Sequence, residues 1–566
     1  MTRSFRVTLT VGMLLALAVT ASVPAAEPPD RKPRLIVLLV VDQFRADYVD
    51  WFQHQWSGGL RRLLNDGAWF RQAAYPYFNA LTCTGHATVA TGTLPRTHRL
   101  VMNKWWDRAR RVEATCTEDP SVQPVSYGGA VSGLADSAAS LGTATLPDEL
   151  RAQLGVPGRT ISFSLKARSA IPLGGHRPSA VTWFDDSGTW VTSTAFSPAP
   201  VREVASYIQR HPVEHDFGRT WTRTLPVGSY LFEHPAVGAA STVTTADFPH
   251  ALGGGAGSPD PLFYWRWQSS PFADDYLASM ALDVAGQLRL GRGDTTDVVA
   301  VGFSALDKVG HDFGPNSHES QDVLVHLDRT LATLFAGLDR MVGAGQYVVA
   351  LTSDHGVAPI PERALAQGLD AGRVAKATLV GAIDAALQRT LGAGQYVARM
   401  VSSDVYLESG AFDRMRASPA ATAAVRSALE AVPGVARVFT RDQIVDNRFD
   451  DDPIGRQVAN SFDRERSGDV VVLLKPYWLT DDSASPTSHG APYAYDVRVP
   501  LFLMGRGIVS GEYLAAASPA DVAPTLAFLA GVTLPHADGR VLVEALTSAP
   551  PRPTAAPAPA RESARR

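Results

Sequence analysis

The chain alternates short, continuous apolar runs with longer amphipathic stretches. Within residues 34–41, the segment 35–41 is an unbroken apolar, largely β-branched run, and comparable strand-like segments occupy 159–164, 297–303, 346–352 and 499–504. Runs of this length are typical of strands buried on both faces, as in a parallel sheet. Because helix-like stretches lie between the runs, we predict an α/β fold with a mainly parallel central sheet flanked by helices.

The clearest helical patterns cover residues 44–65, 319–341 and 518–530. In the last of these, Ser518 stands directly before Pro519, which is typical of a helix N-cap followed by the first turn. We therefore expect a helix that begins close to Ser518.

Two regions interrupt the alternation of strands and helices. Residues 100–290 are loop-rich over much of their length, and residues 370–485 carry helix and strand patterns of their own. We expect both to be cap elements inserted at the active-site edge of one catalytic domain that spans residues 34–547.

The two ends of the chain differ from this domain. Arg3 and Arg6 precede an apolar stretch too short to span a bilayer, and small residues follow it, so residues 1–26 are predicted to be a secretory signal peptide. An uncleaved membrane anchor is the alternative. Residues 548–566 are rich in Pro, Ala and Arg and are predicted to be a disordered tail. The mature protein is expected to be periplasmic or secreted, without a stable membrane span.

Composition and charge limit the class of partner. The chain has 566 residues, 45% apolar and 19% charged, which is sufficient for a large core. Its formal charge is −4; removing the two arginines of the signal segment, and the four arginines and one glutamate of the tail, leaves −9. A negative domain argues against binding of a nucleic-acid polymer. We expect a monomer.

The chain has two cysteines, Cys83 and Cys116. A disulfide between them is compatible with an exported protein, because the compartments outside the cytosol are oxidising. Two free buried thiols are nearly as good an interpretation, since spacing along the chain does not reveal the distance between the Cα atoms.

Acidic and imidazole residues follow several of the apolar runs. The carboxyl ends of strands are where open α/β sheets bind their ligands. Any one of these residues alone would usually be structural, but together they offer the oxygen and nitrogen ligands that suit Zn²⁺. The candidate metal ligands are Asp42, Asp307, His311, Asp354, His355 and His489.

A candidate nucleophile lies in the segment 79–92, where small and hydroxylic residues precede a short helical stretch. The N-terminus of such a helix offers N–H groups to a phosphate. A metal could activate Thr82 there to attack phosphorus. The alternative is an ordinary helix capped by a threonine.

The motifs occur in an order that resembles the alkaline phosphatase superfamily. They are VVDQFRADY, TCTGHATVATG, HRLVMNKWWD, SLKARSAIPLGGH, ALDKVGHDFGP, LTSDHG and SHG. The resemblance covers about residues 34–545. It is greatest to the bacterial exported alkaline phosphatases with a threonine nucleophile, the phosphate-irrepressible type, to which nucleotide pyrophosphatases/phosphodiesterases are related. It implies an alkaline-phosphatase-like core and two Zn²⁺ ions.

The resemblance also implies a role for each motif residue. Thr82, four residues before the motif histidine His86, would be the nucleophile, although this chain has Thr84 where the family commonly has proline. One zinc would be bound by Asp307, His311 and His489. The other would be bound by Asp42, Asp354, His355 and the Thr82 oxygen.

Asn103, Lys166 and Arg168 match the residues that contact the phosphoryl oxygens in monoesterases of this type. A monoester dianion has one more charged oxygen than a diester, and two cations that alternate along an extended segment can both reach it. We therefore expect an exported zinc-dependent alkaline phosphatase that hydrolyses small phosphate monoesters through a phosphothreonine. The alternatives are a phosphodiesterase or nucleotide pyrophosphatase on the same scaffold, and a non-catalytic periplasmic metal- or phosphate-binding protein.

Two further motifs suggest other chemistries and are rejected. The segment DSAAS at 136–140 resembles the serine motif of better-known alkaline phosphatases, but it does not follow the first candidate metal strand. Cys83 lacks the C-x-P-x-R context from which sulfatases form formylglycine.

Overall fold

A computed structural model describes seven stretches of the chain, which belong to one compact unit. They are residues 32–131, 133–185, 187–232, 247–255, 257–446, 449–481 and 485–547. The predicted signal peptide, 1–26, and the predicted tail, 548–566, lie outside these stretches. None of the helices in the described ranges combines the length and apolar character needed to cross a bilayer.

The described residues contain twenty strands in five sheets. In chain order they are Leu35–Val41 (β1), Gly67–Ala73 (β2), Lys104–Asp107 (β3), Val112–Thr115 (β4), Pro124–Ser126 (β5), Thr160–Ser164 (β6), Ala180–Phe184 (β7), Trp190–Ser193 (β8), Thr220–Trp221 (β9), His250–Ala251 (β10), Asp297–Phe303 (β11), Tyr347–Thr352 (β12), Gly372–Val374 (β13), Val397–Val401 (β14), Asp404–Leu407 (β15), Val435–Thr440 (β16), Val470–Leu474 (β17), Trp478–Thr480 (β18), Leu501–Gly505 (β19) and Gly511–Ala517 (β20).

The same stretches contain nineteen α-helices. They are Asp47–Phe52 (α1), Gly59–Asp66 (α2), Thr82–Thr91 (α3), Pro95–His98 (α4), Leu146–Gln153 (α5), Ala167–Gly174 (α6), Arg202–Arg210 (α7), Pro261–Gln268 (α8), Pro271–Gln287 (α9), Ala305–Phe313 (α10), His318–Met341 (α11), Pro361–Ala366 (α12), Lys376–Leu391 (α13), Ala411–Arg416 (α14), Pro419–Glu430 (α15), Arg441–Val445 (α16), Pro453–Asn460 (α17), Ala494–Val497 (α18) and Val522–Ala530 (α19).

The main sheet has ten strands in the order β20-β2-β19-β12-β1-β11-β6-β7-β8-β5. Its five central strands, from β12 to β7, are parallel. Strand β19 is antiparallel to both of its neighbours, and β8 is antiparallel to β7 and β5. The α/β fold is therefore confirmed, but the sheet is mixed outside its centre, and the run 499–504 forms an antiparallel strand.

Strand β1 lies in the middle of the sheet, and all seven of its side chains are buried. Alternate side chains point to opposite faces of a strand. Val37 and Leu39 therefore pack with α9 and α11, whereas Ile36 and Leu38 pack with α3 and α19. Two helical layers thus cover the sheet, which explains why the sequence of β1 shows no polar position.

The predicted helix at 44–65 is broken into α1 and α2. The Asp328 side chain on α11 accepts hydrogen bonds from the backbone N–H groups of Ser57, Gly58, Leu60 and Arg61. This long-range contact binds the N–H groups at the start of α2, so a tertiary contact causes the break between the two helices. At the other predicted start, Ser518 accepts a hydrogen bond from the N–H of Ala520, and a short 3-10 turn leads into α19.

Residues 370–485 carry a four-stranded sheet of their own, in the order β14-β15-β17-β16. Helices α13 and α15 pack on it around a separate apolar cluster that includes Leu379, Val425 and Val472. The region 100–290 is different, because β6, β7 and β8 belong to the main sheet and α9 lies in its core. That region is thus only partly the cap that was expected.

Candidate metal centre and nucleophile

The candidate ligands lie at the carboxyl ends of neighbouring parallel strands. Asp42 follows β1, Asp307 lies on α10 directly after β11, and Asp354 follows β12. Because β1 pairs with both β11 and β12, these three carboxylates are brought to one edge of the sheet. All three are buried.

Three side chains converge around His355, and with it they form what we name the Asp42 group: Asp42, Thr82, Asp354 and His355. The His355 Nε2 atom lies 3.4 Å from Asp42 Oδ1, 3.3 Å from Asp354 Oδ2 and 3.3 Å from Thr82 Oγ1. Ligands around a tetrahedral ion with bonds of about 2.0–2.1 Å are separated by about 3.3–3.4 Å. These three distances therefore fit one coordination shell.

The second set, named the Asp307 group, consists of Asp307, His311 and His489. The Nε2 atoms of His311 and His489 lie 3.2 Å and 4.0 Å from Asp307 Oδ1. Asp307 and His311 are one turn apart on α10, as their spacing of four residues predicts. The ligand atoms of the three residues lie within 4.8 Å of one another, and those of Asp307, Asp42 and His355 also lie within 4.8 Å of one another.

All three histidines are held in the same tautomer. The Nδ1 atoms of His311, His355 and His489 lie 2.9, 2.9 and 3.1 Å from the carbonyl oxygens of Thr487, Gly356 and Ala80. A carbonyl oxygen only accepts hydrogen bonds, so Nδ1 carries the proton. Each Nε2 is therefore left with a lone pair, which is the form that binds a metal ion.

The electrostatics of the centre fit bound cations. Burial raises the pKa of Asp42 well above its ordinary value, and the neighbouring charges of Asp307 and Asp354 raise it further. Burial also acts to raise the pKa of Asp307, but the charges of Lys166 and His311 outweigh it and leave the pKa well below the ordinary value. Three carboxylates in this space therefore need more positive charge than one lysine supplies.

Two observations test whether divalent ions fit here. The Lys166 ammonium lies 2.5 Å from both Asp42 Oδ2 and Asp307 Oδ2, so a cation already binds between these carboxylates. Asp42 Oδ1 and Asp354 Oδ2 are buried and have no hydrogen-bond partner in the described part of the chain. Oxygens in this position are costly unless a cation binds them. With the His Nε2 atoms, they form a donor set suited to Zn²⁺.

Gln43 connects the two groups and was missed by the sequence analysis. Its backbone N–H donates to Asp354 Oδ1 (3.1 Å), and its Nε2 donates to Asp307 Oδ1 (2.9 Å). Its φ is +69°, a left-handed conformation that costs energy for a residue with a Cβ. The one available signal was its position directly after the strand-end residue Asp42.

Thr82 is the first residue of α3, as the sequence predicts, and its side chain is buried at the centre. The preceding residue, Leu81, has no polar side chain to cap the helix. The N–H of Cys83 is engaged by Asn103 Oδ1, but within the described residues no acceptor contacts the N–H groups of Thr82 and Thr84, which remain available to an anion. The nucleophile candidate and an anion-binding helix end thus coincide.

Cys83 and Cys116 form a disulfide, which decides the question that spacing left open. It joins α3 to the segment that carries Asn103. The N–H of Cys83 donates to Asn103 Oδ1 (2.8 Å), and the N–H of Cys116 donates to the Asn103 carbonyl oxygen (2.9 Å). Because the Asn103 oxygen is engaged, its Nδ2 amide is the group left to donate to a ligand.

Asn103, Lys166 and Arg168 line one cleft of about 640 Å³, together with Asp307 and His311. Lys166 has an extended backbone, but Arg168 lies in the first turn of α6. The expectation that both cations alternate along an extended segment is therefore wrong. They reach the same cleft because the chain turns into a helix after Lys166.

The rejected serine motif takes no part in the centre. Ser137 Oγ donates to Asp119 Oδ2 (2.6 Å), and Asp136 accepts a hydrogen bond from Thr117 (2.6 Å). The Ser137 hydroxyl is thus engaged by a carboxylate outside both groups.

Comparisons with known proteins identify the family of the chain. A family model described as type I phosphodiesterase / nucleotide pyrophosphatase matches residues 36–494. The alkaline phosphatase PafA of Elizabethkingia meningoseptica is 29% identical over 555 residues, covering 95% of this chain and 98% of PafA. The alkaline phosphatase PhoK of a Sphingomonas species is 30% identical over 531 residues, covering 90% of this chain and 91% of PhoK.

Crystal structures of PafA share the fold. The wild-type structure gives a TM-score of 0.83 at 29% identity, over 91% of this chain and 99% of that chain. A PafA variant, in which a threonine, an asparagine, a lysine and an arginine are replaced, gives 0.84 at 28% identity over the same shares. The chain therefore belongs to the type I phosphodiesterase / nucleotide pyrophosphatase family of the alkaline phosphatase superfamily.

Proposed function

We propose that this protein is a metal-dependent alkaline phosphatase that hydrolyses small phosphate monoesters through a phosphothreonine at Thr82. The observation that carries the proposal is the position of the Thr82 hydroxyl. It lies 3.3 Å from His355 Nε2 inside the Asp42 group and at the N-terminus of α3. A hydroxyl in this position has charged neighbours to activate it and N–H groups to receive a phosphate.

The relatives support the reaction class. PafA and PhoK are alkaline phosphatases that are similar over nearly the whole chain. The four residue types replaced in the PafA variant occur here, in the same order, as Thr82, Asn103, Lys166 and Arg168. In this chain three of them, Asn103, Lys166 and Arg168, line one cleft, and Thr82 lies buried in the Asp42 group.

Two Zn²⁺ ions are the cofactors we propose, one for the Asp42 group and one for the Asp307 group. Their chemistry would be to neutralise charge and to favour the deprotonated forms of oxygen nucleophiles. The tautomers of His311, His355 and His489 support nitrogen coordination, and the unpartnered oxygens of Asp42 and Asp354 support oxygen coordination.

The protein's own residues account for phosphate binding and transfer. Asn103, Lys166, Arg168 and the unengaged N–H groups at the start of α3 bind the non-bridging oxygens, whose charge they stabilise. Thr82 Oγ gives its proton to solvent and forms a bond to phosphorus as the bond to the ester oxygen breaks, and that oxygen takes up a proton and leaves as the alcohol. Water then attacks the phosphothreonine on the opposite face and loses a proton to solvent, the bond to Thr82 Oγ breaks, and Thr82 Oγ takes up a proton as phosphate leaves.

A phosphodiesterase on the same scaffold is the second candidate, because the matching family model describes phosphodiesterases. Lys166 and Arg168 favour the monoesterase, since two cations in the cleft match the extra charge of a monoester. An aryl phosphate and its methyl ester distinguish the two: we expect the monoester to have the larger kcat/KM.

Substitution of catalytic residues completes the test. Thr82→Ala should abolish turnover and leave the circular dichroism spectrum unchanged. Replacing both Lys166 and Arg168 with methionine should reduce monoester hydrolysis far more than diester hydrolysis. Substantial turnover by Thr82→Ala, or equal losses on both substrates, would refute the assignment.

We also propose that the protein is exported and monomeric. The predicted signal segment and the Cys83–Cys116 disulfide support an oxidising compartment. Fractionation of cells that express the full chain, with gel filtration of the mature protein, tests both statements.

A further inference from the structure

Helix α10 presents two polar edges to the cleft. Asp307 and His311 lie on one edge and belong to the Asp307 group. Lys308 and Asp312 are also four residues apart, so they lie on the adjacent edge of the helix and line the same cleft. The second edge is not explained by metal binding or by contacts with the phosphoryl oxygens.

Trp265, on α8, faces this second edge. Its ring lies 4.5 Å from Lys308 Nζ, and its side chain hydrogen-bonds to Asp312. The ring is 38% exposed although α8 packs against the core. We name Trp265, Lys308 and Asp312 the leaving-group wall.

Asp312 carries the strongest sign of an unassigned ligand. Its residue is only 8% exposed, and its Oδ2 atom has no hydrogen-bond partner within the described ranges. A buried carboxylate oxygen without a donor is costly, so the site is incomplete without one. Asp312 lines the cleft, so a bound molecule can supply that donor once the side chains that cover Oδ2 shift.

The position of the wall identifies which part of a substrate meets it. In phosphoryl transfer the attacking and leaving oxygens are roughly in line. Thr82 belongs to the Asp42 group, so the leaving oxygen lies on the side of the Asp307 group. The atoms beyond the leaving oxygen therefore pass along α10 toward Lys308, Asp312 and Trp265.

The chemistry of the wall selects the leaving group. Lys308 can donate a hydrogen bond and Asp312 can accept one, and a hydroxyl is a group that can pair with either. Because Lys308 and Asp312 have opposite charges, the wall as a whole gives no net attraction to a cationic leaving group or to a second phosphate. Trp265 offers an apolar face on which the carbon side of a sugar ring can pack.

Resting on the proposed phosphatase function, we propose that this wall is a subsite for sugar hydroxyls, so that the preferred substrates are sugar phosphates. In such substrates the hydroxyl-bearing ring lies one or two carbons from the ester oxygen. Sugar monophosphates and nucleoside 5′-monophosphates share this feature. A nucleotide adds only a base beyond the ring.

Two substrates that differ only in hydroxyls test the subsite. Ribose 5-phosphate carries the hydroxyls, and tetrahydrofurfuryl phosphate keeps the five-membered ring and the ester carbon without them. We expect the wild-type enzyme to favour ribose 5-phosphate by about tenfold or more in kcat/KM. Asp312→Ala and Lys308→Met should each lower that ratio severalfold to about tenfold.

A matched control is Leu134→Ala, which alters an exposed residue of the same cleft outside the wall. It should leave the ratio unchanged. Equal losses on both substrates in Asp312→Ala would overturn the subsite, because Asp312 would then act on the chemistry through its neighbour His311. An unchanged ratio in both wall variants would also overturn it.

AMP separates sugar recognition from base recognition. If the wall binds the ribose, Asp312→Ala lowers kcat/KM for AMP and for ribose 5-phosphate together. A loss confined to AMP would assign the wall to the base and refute the proposal. Hydrolysis of tetrahydrofurfuryl phosphate without preference for ribose 5-phosphate refutes only the subsite, whereas a wild-type enzyme that hydrolyses no monoester refutes the proposed function.

Discussion

Gln43 offers the sharpest test of how the centre is built. Its side-chain amide donates to Asp307 Oδ1 at 2.9 Å, while its backbone N–H donates to Asp354 Oδ1. Gln43→Met keeps the length of the side chain and the backbone contact, and removes only the amide donor. The variant therefore loses the side-chain hydrogen bond to Asp307 and keeps the backbone hydrogen bond to Asp354.

The expected effect follows from this single hydrogen bond. A hydrogen bond to a charged group contributes about 1.5–3 kcal/mol. Loss of a residue that orients a metal ligand typically lowers metal affinity by about 10–100-fold, which corresponds to about 1.4–2.7 kcal/mol. Both estimates agree, so we expect zinc affinity of the Asp307 group to fall by about 10–100-fold.

Zinc occupancy at buffered free zinc concentrations measures this directly, without reference to activity. We expect two binding steps in the wild-type protein and a shift of only one of them in Gln43→Met. Gln321→Met is the control, because Gln321 is also a buried glutamine but hydrogen-bonds to Gln55 and Ser229. Superimposable curves for wild type and Gln43→Met, or an equal shift of both steps, would refute the reasoning.

Three further predictions concern stability. Replacing Cys83 and Cys116 with alanine opens a loop of 33 residues. The chain-entropy model gives a loss of about 4 kcal/mol in the free energy of unfolding, or about 3 °C in Tm for a chain of this size. Calorimetry should show that reductant lowers the Tm of the wild type and leaves the Tm of the double alanine variant unchanged. Burial raises the pKa of Asp404 to about 6, so the stability that this group contributes at low pH is lost as pH rises through that value. In urea unfolding, the free energy of unfolding of Asp404→Asn should therefore rise by about 1.4 kcal/mol relative to that of the wild type between pH 5 and pH 8. An unchanged difference between the two proteins would contradict the raised pKa. Chelation of bound metal should lower the Tm, because the negative charges of Asp42, Asp307 and Asp354 would then be balanced only by the Lys166 ammonium. Added Zn²⁺ should restore the Tm. At a zinc concentration a thousandfold above Kd, the expected stabilisation is about 4 kcal/mol.

The sequence alone determined the local structure and the chemistry. The apolar run 35–41 specified a buried strand because only a strand covered on both faces tolerates such a run. The spacing of Asp307 and His311 specified one helical face. The order of the motifs specified the superfamily, because the motifs can be recognised from their residues without knowing the loops that separate them.

The tertiary structure decided which of these residues meet. Apolar periodicity reports how deeply a strand is buried and not which strand lies beside it, so the neighbours β12, β1 and β11 were not readable from the chain. That order brings Asp42, Asp307 and Asp354 together. Contacts between residues distant in sequence also account for the left-handed Gln43, which was missed, and for the disulfide, which the sequence left open. The extended segment expected through Arg168 was wrong because helix α6 begins directly after Lys166.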